Sequence, residues 1–143
     1  MQDFSTKIEV RWGDLDPNFH VLHSKYFDFG AYCRMYFFTK NGISVPLMKE
    51  HHIGPIIFRE ECLFKREIQF GDEVRITLKM DKLSIDHRKW TIVHEIWVND
   101  NMLAAQITCD GAWMDTKLRK VVSPPKKKKK GLDIIPKTDS FNQ

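Results

Sequence analysis

The chain opens on an alternation. Ile8, Val10 and Trp12 fall on one side of residues 5–12 and Lys7, Glu9 and Arg11 on the other, the period-two pattern of a half-buried strand. Residues 13–19, Gly-Asp-Leu-Asp-Pro-Asn-Phe, interrupt it with turn formers. The spacing then predicts a helix from about Ser24 to Lys40, with Ser24 at the N-cap and Asn41-Gly42 supplying a left-handed stop. Apolar and aromatic residues from Tyr26 to Phe38 surround this helix on nearly every side, so it is expected to be buried on most faces. Gly30 at its centre costs about 1 kcal/mol relative to Ala, which implies a close neighbour against the backbone.

Beyond a loop holding His51, His52, Gly54 and Pro55, the period returns to two and stays there. Strands are predicted over 56–70, 74–83, 90–98 and 102–116, with Asn99-Asp100-Asn101 as the tightest hairpin signal. Short turns between consecutive strands imply an antiparallel meander. The expected class is α+β: a strand, a buried helix, then four long strands. One helix covers only one face of such a sheet, and the apolar surface left over points to a homodimer or homotetramer.

Charge changes this picture at one end only. Residues 1–120 carry 17 basic and 17 acidic side chains, so the net charge of +4 lies wholly in 121–143, with the run Lys126 to Lys130. A neutral domain over 1–120 followed by a basic, weakly structured tail over 121–143 is therefore expected. The lysine run reads as a solvated segment able to attract anionic lipid, nucleic acid or an acyl carrier protein by charge alone. It lacks the interleaved aromatics and reading helix of sequence-specific nucleic-acid binding. No apolar run reaches the roughly 20 residues of a membrane span, and the first residues lack the pattern of a secretory signal. Three widely spaced cysteines form neither a disulfide framework nor a thiolate metal site, which suggests the cytoplasm.

Chemistry concentrates between Trp12 and Tyr26, WGDLDPNFHVLHSKY. Asp14, Asp16, His20 and His23 lie within ten residues, in a loop leading into a helix start whose free N–H groups suit a developing oxyanion. A carboxylate there can attack an acyl carbon or activate water, and an imidazole can shuttle a proton. Both aspartates also have a purely local use, as side chains that bond their own turn. The set of four has no recognised metal-ligand spacing.

The run D-P-N-F-H-V-x-H-x-x-Y, preceded by V-R-W-G-D, resembles hotdog-fold acyl thioesterases of the 4-hydroxybenzoyl-CoA thioesterase group, in the branch acting on fatty acyl thioesters. A second match is K-R-E-I-Q-F-G-D-E-V over Lys65–Val74. The resemblance implies a long central helix wrapped by a five-stranded antiparallel sheet, with two subunits joined edge to edge and sites at their interface. It implies hydrolysis of an acyl-CoA or acyl-carrier-protein thioester, with coenzyme A entering only as part of the substrate and no metal or redox cofactor. Asp16 matches the catalytic aspartate, as nucleophile or general base, and His23 is placed beside it with its backbone N–H on the thioester carbonyl. Asn18, His20, Ser24 and Tyr26 fall on the substrate side, and Arg88 and Lys89 sit where related enzymes touch the nucleotide. Trp12, and the pair Leu22-His23, depart from the usual pattern. A non-catalytic acyl- or CoA-binding protein, and a hotdog hydratase or dehydratase, are the alternatives.

Overall fold

In the computed structural model, which describes residues 3–142, the periodic helix becomes α1 (Lys25–Lys40), and a curled sheet wraps it in the hotdog arrangement. Strand β1 (Ser5–Ile8) leads through the loop into α1, and α2 (Val45–His51) follows. Then come β2 (Ile53–Phe64), β3 (Val74–Thr77), β4 (Lys79–Leu83), β5 (Lys89–Val98) and β6 (Met102–Asp115). The chain closes with β7 (Lys120–Val121), α3 (Lys126–Asp133) and β8 (Lys137–Asn142). Because β3 and β4 pair successive parts of β5 on either side of Leu78, they are two halves of one predicted strand. The sheet thus has five ranks: β2, β6, β5, β3 with β4, and an outer rank shared by β1 and β8. All these pairings are antiparallel except β4 with β8. Asn99 and Asp100 take φ of 51° and 72°, the left-handed pair that a tight hairpin between β5 and β6 needs.

Alternation puts Trp90, Ile92, His94, Ile96 and Val98 of β5, and Ala105, Ile107, Cys109 and Trp113 of β6, against α1, where Tyr26, Phe29, Cys33, Phe37 and Phe38 meet them. The neighbour implied at Gly30 is His94: a Cβ on Gly30 would stand 3.3 Å from its Cδ2. His94 is fully buried, with Nδ1 2.9 Å from the Thr77 carbonyl and Nε2 3.0 Å from Arg34 Nη1. This fixes the neutral tautomer, Nδ1–H donating and Nε2 accepting. Burial first, and then the Arg34 charge, push its pKa down to about 3.

Several expectations need correction. The first strand stops at Ile8, because residues 12–14 form a 3₁₀ turn. The strand expected over 56–70 ends at Phe64, where the N–H groups of Lys65 and Arg66 both donate to the Ala104 carbonyl and the chain leaves the sheet. The loop after α1 contains α2, whose start Ser44 caps by accepting from the Leu47 N–H. Ser24 does not cap α1: its backbone is already αR and its side chain makes no capping bond. The basic tail is not weakly structured. Leu132 and Ile135 are fully buried, the Met80 N–H donates to the Pro136 carbonyl, and Asp81 accepts from both Thr138 and Ser140.

Candidate active site

The Asp loop is shaped before it is functional. Asp14, only 2% exposed, accepts from the Arg11 N–H at 2.9 Å and from its guanidinium at 3.2 Å. Burial alone would raise the Asp14 pKa, but the bonds and charge of Arg11 outweigh it and hold the carboxyl below the usual range. Leu15 and Val21 face each other as an isolated bridge, and the Leu22 N–H donates to the Asp14 carbonyl. The Val21 N–H donates to the Ile68 carbonyl, and His20 bridges to Gln69, so the loop is docked on the segment that leaves β2. Asp14 is therefore structural.

Asp16 lies inside the closed loop. Its Oδ1 accepts from the Asn18 N–H at 2.8 Å and the His20 N–H at 3.4 Å, while the Asp16 N–H donates to the His20 carbonyl. Among the described residues Oδ2 has no hydrogen-bond partner, so one carboxylate oxygen orients the side chain and the other stays open. Close by, the Lys25 and Tyr26 N–H groups are used in turns, on Leu22 and His23 carbonyls. The His23 and Ser24 N–H groups, at the positive end of α1, carry no bond among the described residues. They are the donors that an oxyanion at this helix start would meet. The His23 side chain is exposed and makes no hydrogen bond, and His20 Nε2 lies 3.2 Å from Glu67 Oε2.

Tyr26 is buried, with its ring edge-on to Phe64 at 4.9 Å, and burial above all pushes its phenol up to about 12. Two clefts flank the loop and share His20. One, of about 250 Å³, runs over Tyr26, Phe64 and Arg66, and the other, of about 340 Å³, over Trp12, Asn18, Phe19 and Phe70. A larger cavity, about 800 Å³, lies instead between β1, α1 and residues 70–74 and does not touch Asp16. Five carboxylates against three basic side chains line it, a poor balance for an anionic ligand. Among the described residues no group of three His, Cys, Asp or Glu side chains could hold a metal ion.

The profile of the thioesterase-like superfamily matches residues 10–132, from just after β1 to α3. The chain belongs to the thioesterase-like superfamily. Solved structures of the same fold agree. A Staphylococcus aureus protein in complex with CoA superposes with a TM-score of 0.87 at 16% identity, over 99% of this chain and 90% of that one. A DHNA-CoA thioesterase from Staphylococcus aureus gives 0.78 at 20% identity, over 86% and 81%. A 1,4-dihydroxy-2-naphthoyl-CoA thioesterase from Synechocystis gives 0.82 at 13% identity, over 93% and 97%. No curated sequence matches significantly.

In this thioesterase-like chain the residues expected at the site fall into two groups. Asp16, Asn18 and His20 are tied together in the loop, His20 and Tyr26 line one cleft, and His23 and Ser24 stand between them in the chain at the start of α1. Arg88 and Lys89 do not join them: they lie at the end of the β4–β5 turn and the start of β5, where the Arg88 carbonyl accepts from Trp113 N–H and the Trp113 ring packs at a tilt against Phe38 near the end of α1. The 16 residues of α1 put on the order of 20 Å between the groups. Sequence reading also missed a buried polar set under the helix, in which Arg34 reaches His94 and lies 3.9 Å from Glu60 Oε2, an atom otherwise without a partner. A lone arginine in an otherwise apolar helix was its signal.

Proposed function

We propose that this protein hydrolyses an acyl-CoA or acyl-carrier-protein thioester to the free acid and the thiol, with Asp16 at the reacting carbon. The observation that carries the reading is the divided carboxylate: Oδ1 is held by two backbone N–H groups, and Oδ2 has no hydrogen-bond partner among the described residues, in a loop that runs directly into the start of α1 where the His23 and Ser24 N–H groups are unpaired. In the nucleophilic route Oδ2 bonds to the acyl carbon, the carbonyl electrons move onto oxygen toward those N–H groups, and the C–S bond breaks as they return. The thiolate leaves and is protonated, and water then cleaves the acyl-aspartyl anhydride. In the general-base route Oδ2 takes a proton from a water that attacks directly. Both use the same geometry.

The site is completed by a second copy. Among the described residues β2 pairs only β6, which leaves the outer edge of this 12-residue strand unpaired, and Phe58, Leu63 and Phe64 on it are exposed. A long apolar edge invites a strand. Two β2 edges paired antiparallel about a twofold axis bring the Ile53 end of one copy to the Phe64 end of the other. The β4–β5 turn belongs to the first end and the Asp loop to the second. The partner's turn thereby supplies the cations for a CoA nucleotide whose thioester lies at Asp16.

The test is free-thiol release over short, medium, long and aromatic acyl-CoAs, with Asp16→Asn and Asp16→Ala as controls and size-exclusion with light scattering for the assembly. Turnover should fall by about 10²–10⁴-fold in both variants while the oligomer persists. Undiminished hydrolysis in Asp16→Ala overturns the reading. A monomer as active as the wild type would remove the second copy from it.

A further inference from the structure

The lysine run is not a tail, and its folding gives it a direction. Helical spacing, carried on by the closing turn in which the Ile134 and Ile135 N–H groups donate to the Lys130 and Leu132 carbonyls, sets Lys126, Lys127, Lys130 and Ile134 on one face and Gly131, Leu132 and Ile135 on the other. The second face is buried, with a Cβ on Gly131 meeting Ile43 at 3.0 Å. The first is exposed, and Ile134 shows 51% of its surface. Beside it stands the β4–β5 turn, tied to α3 by His87 Nε2 and Asp133 Oδ1 at 2.7 Å. That turn projects Ile85, the most exposed large apolar side chain among the described residues at 81%.

Charge at this end is predominantly basic. Residues 115–133 hold eight Lys and Arg against Asp115 and Asp133; Asp133 is taken up by His87, and Asp86 of the neighbouring turn by Arg88. Lysines crowded into the first turn of a helix oppose its dipole and one another. What holds α3 is elsewhere: the burial of Leu132 and Ile135, Lys128 Nζ on the Gly42 carbonyl, and Lys137 Nζ on the Asp133 and Ile135 carbonyls. The outer lysines are thus dispensable to the fold and uncompensated within it.

We propose that this end of the molecule is a docking surface for an anionic lipid bilayer. Lysines attract the headgroups, and Ile85 and Ile134 enter the boundary between headgroups and acyl chains. The two apolar tips decide between partners. A nucleic acid or an acidic protein surface would be served by lysines alone, whereas a bilayer rewards exposed isoleucine set among them.

The test is flotation of the full-length protein with vesicles of phosphatidylcholine, with or without about one-third phosphatidylserine, at ~0.05 M and ~0.5 M salt. Binding is expected only to the anionic vesicles, and it should weaken at high salt. Lys126→Glu, Lys127→Glu and Lys130→Glu together should weaken it by about a hundredfold or more. Ile85→Ser with Ile134→Ser, which keeps every charge, should weaken it by about tenfold. Both variants alter exposed positions, and unchanged circular dichroism and melting temperature verify their folding. The proposal is overturned if wild type fails to float with the anionic vesicles at low salt. It is equally overturned if the double isoleucine variant floats as well as wild type, since the attraction is then that of any polyanion.

Discussion

His94 sets an acid limit on this fold. The perturbation is a drop in pH from 7.5 to 5. In the folded chain burial and the Arg34 charge hold the imidazole neutral, with its pKa pushed down to about 3, whereas the unfolded chain titrates near 6.5. Between those values the unfolded state binds the extra proton, so stability rises with pH there and falls as the solution is acidified. The contribution is complete above pH 6.5 and is lost progressively toward pH 3. At pH 5 the loss is 1.5 pH units at about 1.36 kcal/mol each, or about 2 kcal/mol. The assay is urea unfolding at fixed protein concentration at the two pH values, for wild type and for His94→Gln, whose amide retains a donor and an acceptor but does not titrate. Wild type should lose about 2 kcal/mol more than the variant. Equal pH dependence of the two proteins, or an NMR titration of His94 with a midpoint near 6.5 in the folded state, refutes the reasoning.

Three further outcomes follow from particular contacts. A Cβ on Gly111 would stand 2.4 Å from the Trp90 ring and 2.5 Å from the Ile56 carbonyl. Gly111→Ala should therefore destabilise by about 1–3 kcal/mol or more, read as a lowered urea midpoint. Leu132→Ala removes a fully buried side chain from beneath the lysine face and should cost about 2–5 kcal/mol by the same measurement. A cost near zero would restore the weakly structured tail. Arg88→Ala with Lys89→Ala should raise KM for acyl-CoA by about tenfold with little change in kcat, since those side chains are assigned to the nucleotide and not to the reacting carbon.

What the sequence made legible follows its periodicities. Elements that bury one clean face, such as β5 with Trp90, Ile92, Ile96 and Val98, stand within a residue of their expected bounds. The helix stop was readable because Gly42, at φ +87°, is a backbone signal that packing does not override. The failures have one cause in common: long-range contacts that leave no local period. Phe64 and Phe70 continue the alternation of β2, yet the chain has left the sheet at Lys65 and both rings are more than half exposed. At α3 and the turn that closes it, five lysines hide the two residues that matter, Leu132 and Ile135, because composition averages over a short segment that one buried side anchors. The Asp loop and the choice of Asp16 over Asp14 were legible from the motif, but the physical reason for the division was not, since the two side chains are alike in type and only their partners, Arg11 for Asp14 and the Asn18 and His20 N–H groups for Asp16, distinguish them.

That division bears on how the loop fits a reaction. The buried carboxylate, Asp14, is paired with Arg11, which engages both of its oxygens through backbone and guanidinium, so reaction there would first have to break that pair. Asp16 is less buried, and its Oδ1 is fixed by the short turn that Pro17 and Asn18 build. Phe19 accepts a φ of 69° so that this turn can close, a backbone conformation that costs a side-chain-bearing residue energy. The closure occupies Oδ1 and leaves Oδ2 without a hydrogen-bond partner among the described residues, in the loop that leads into α1. A nucleophile or base needs both properties: fixed direction, so that little entropy is lost at reaction, and a free oxygen, so that no bond must break first. The tight loop provides the first. The absence of an Arg11-like partner at Asp16, among the described residues, leaves the second.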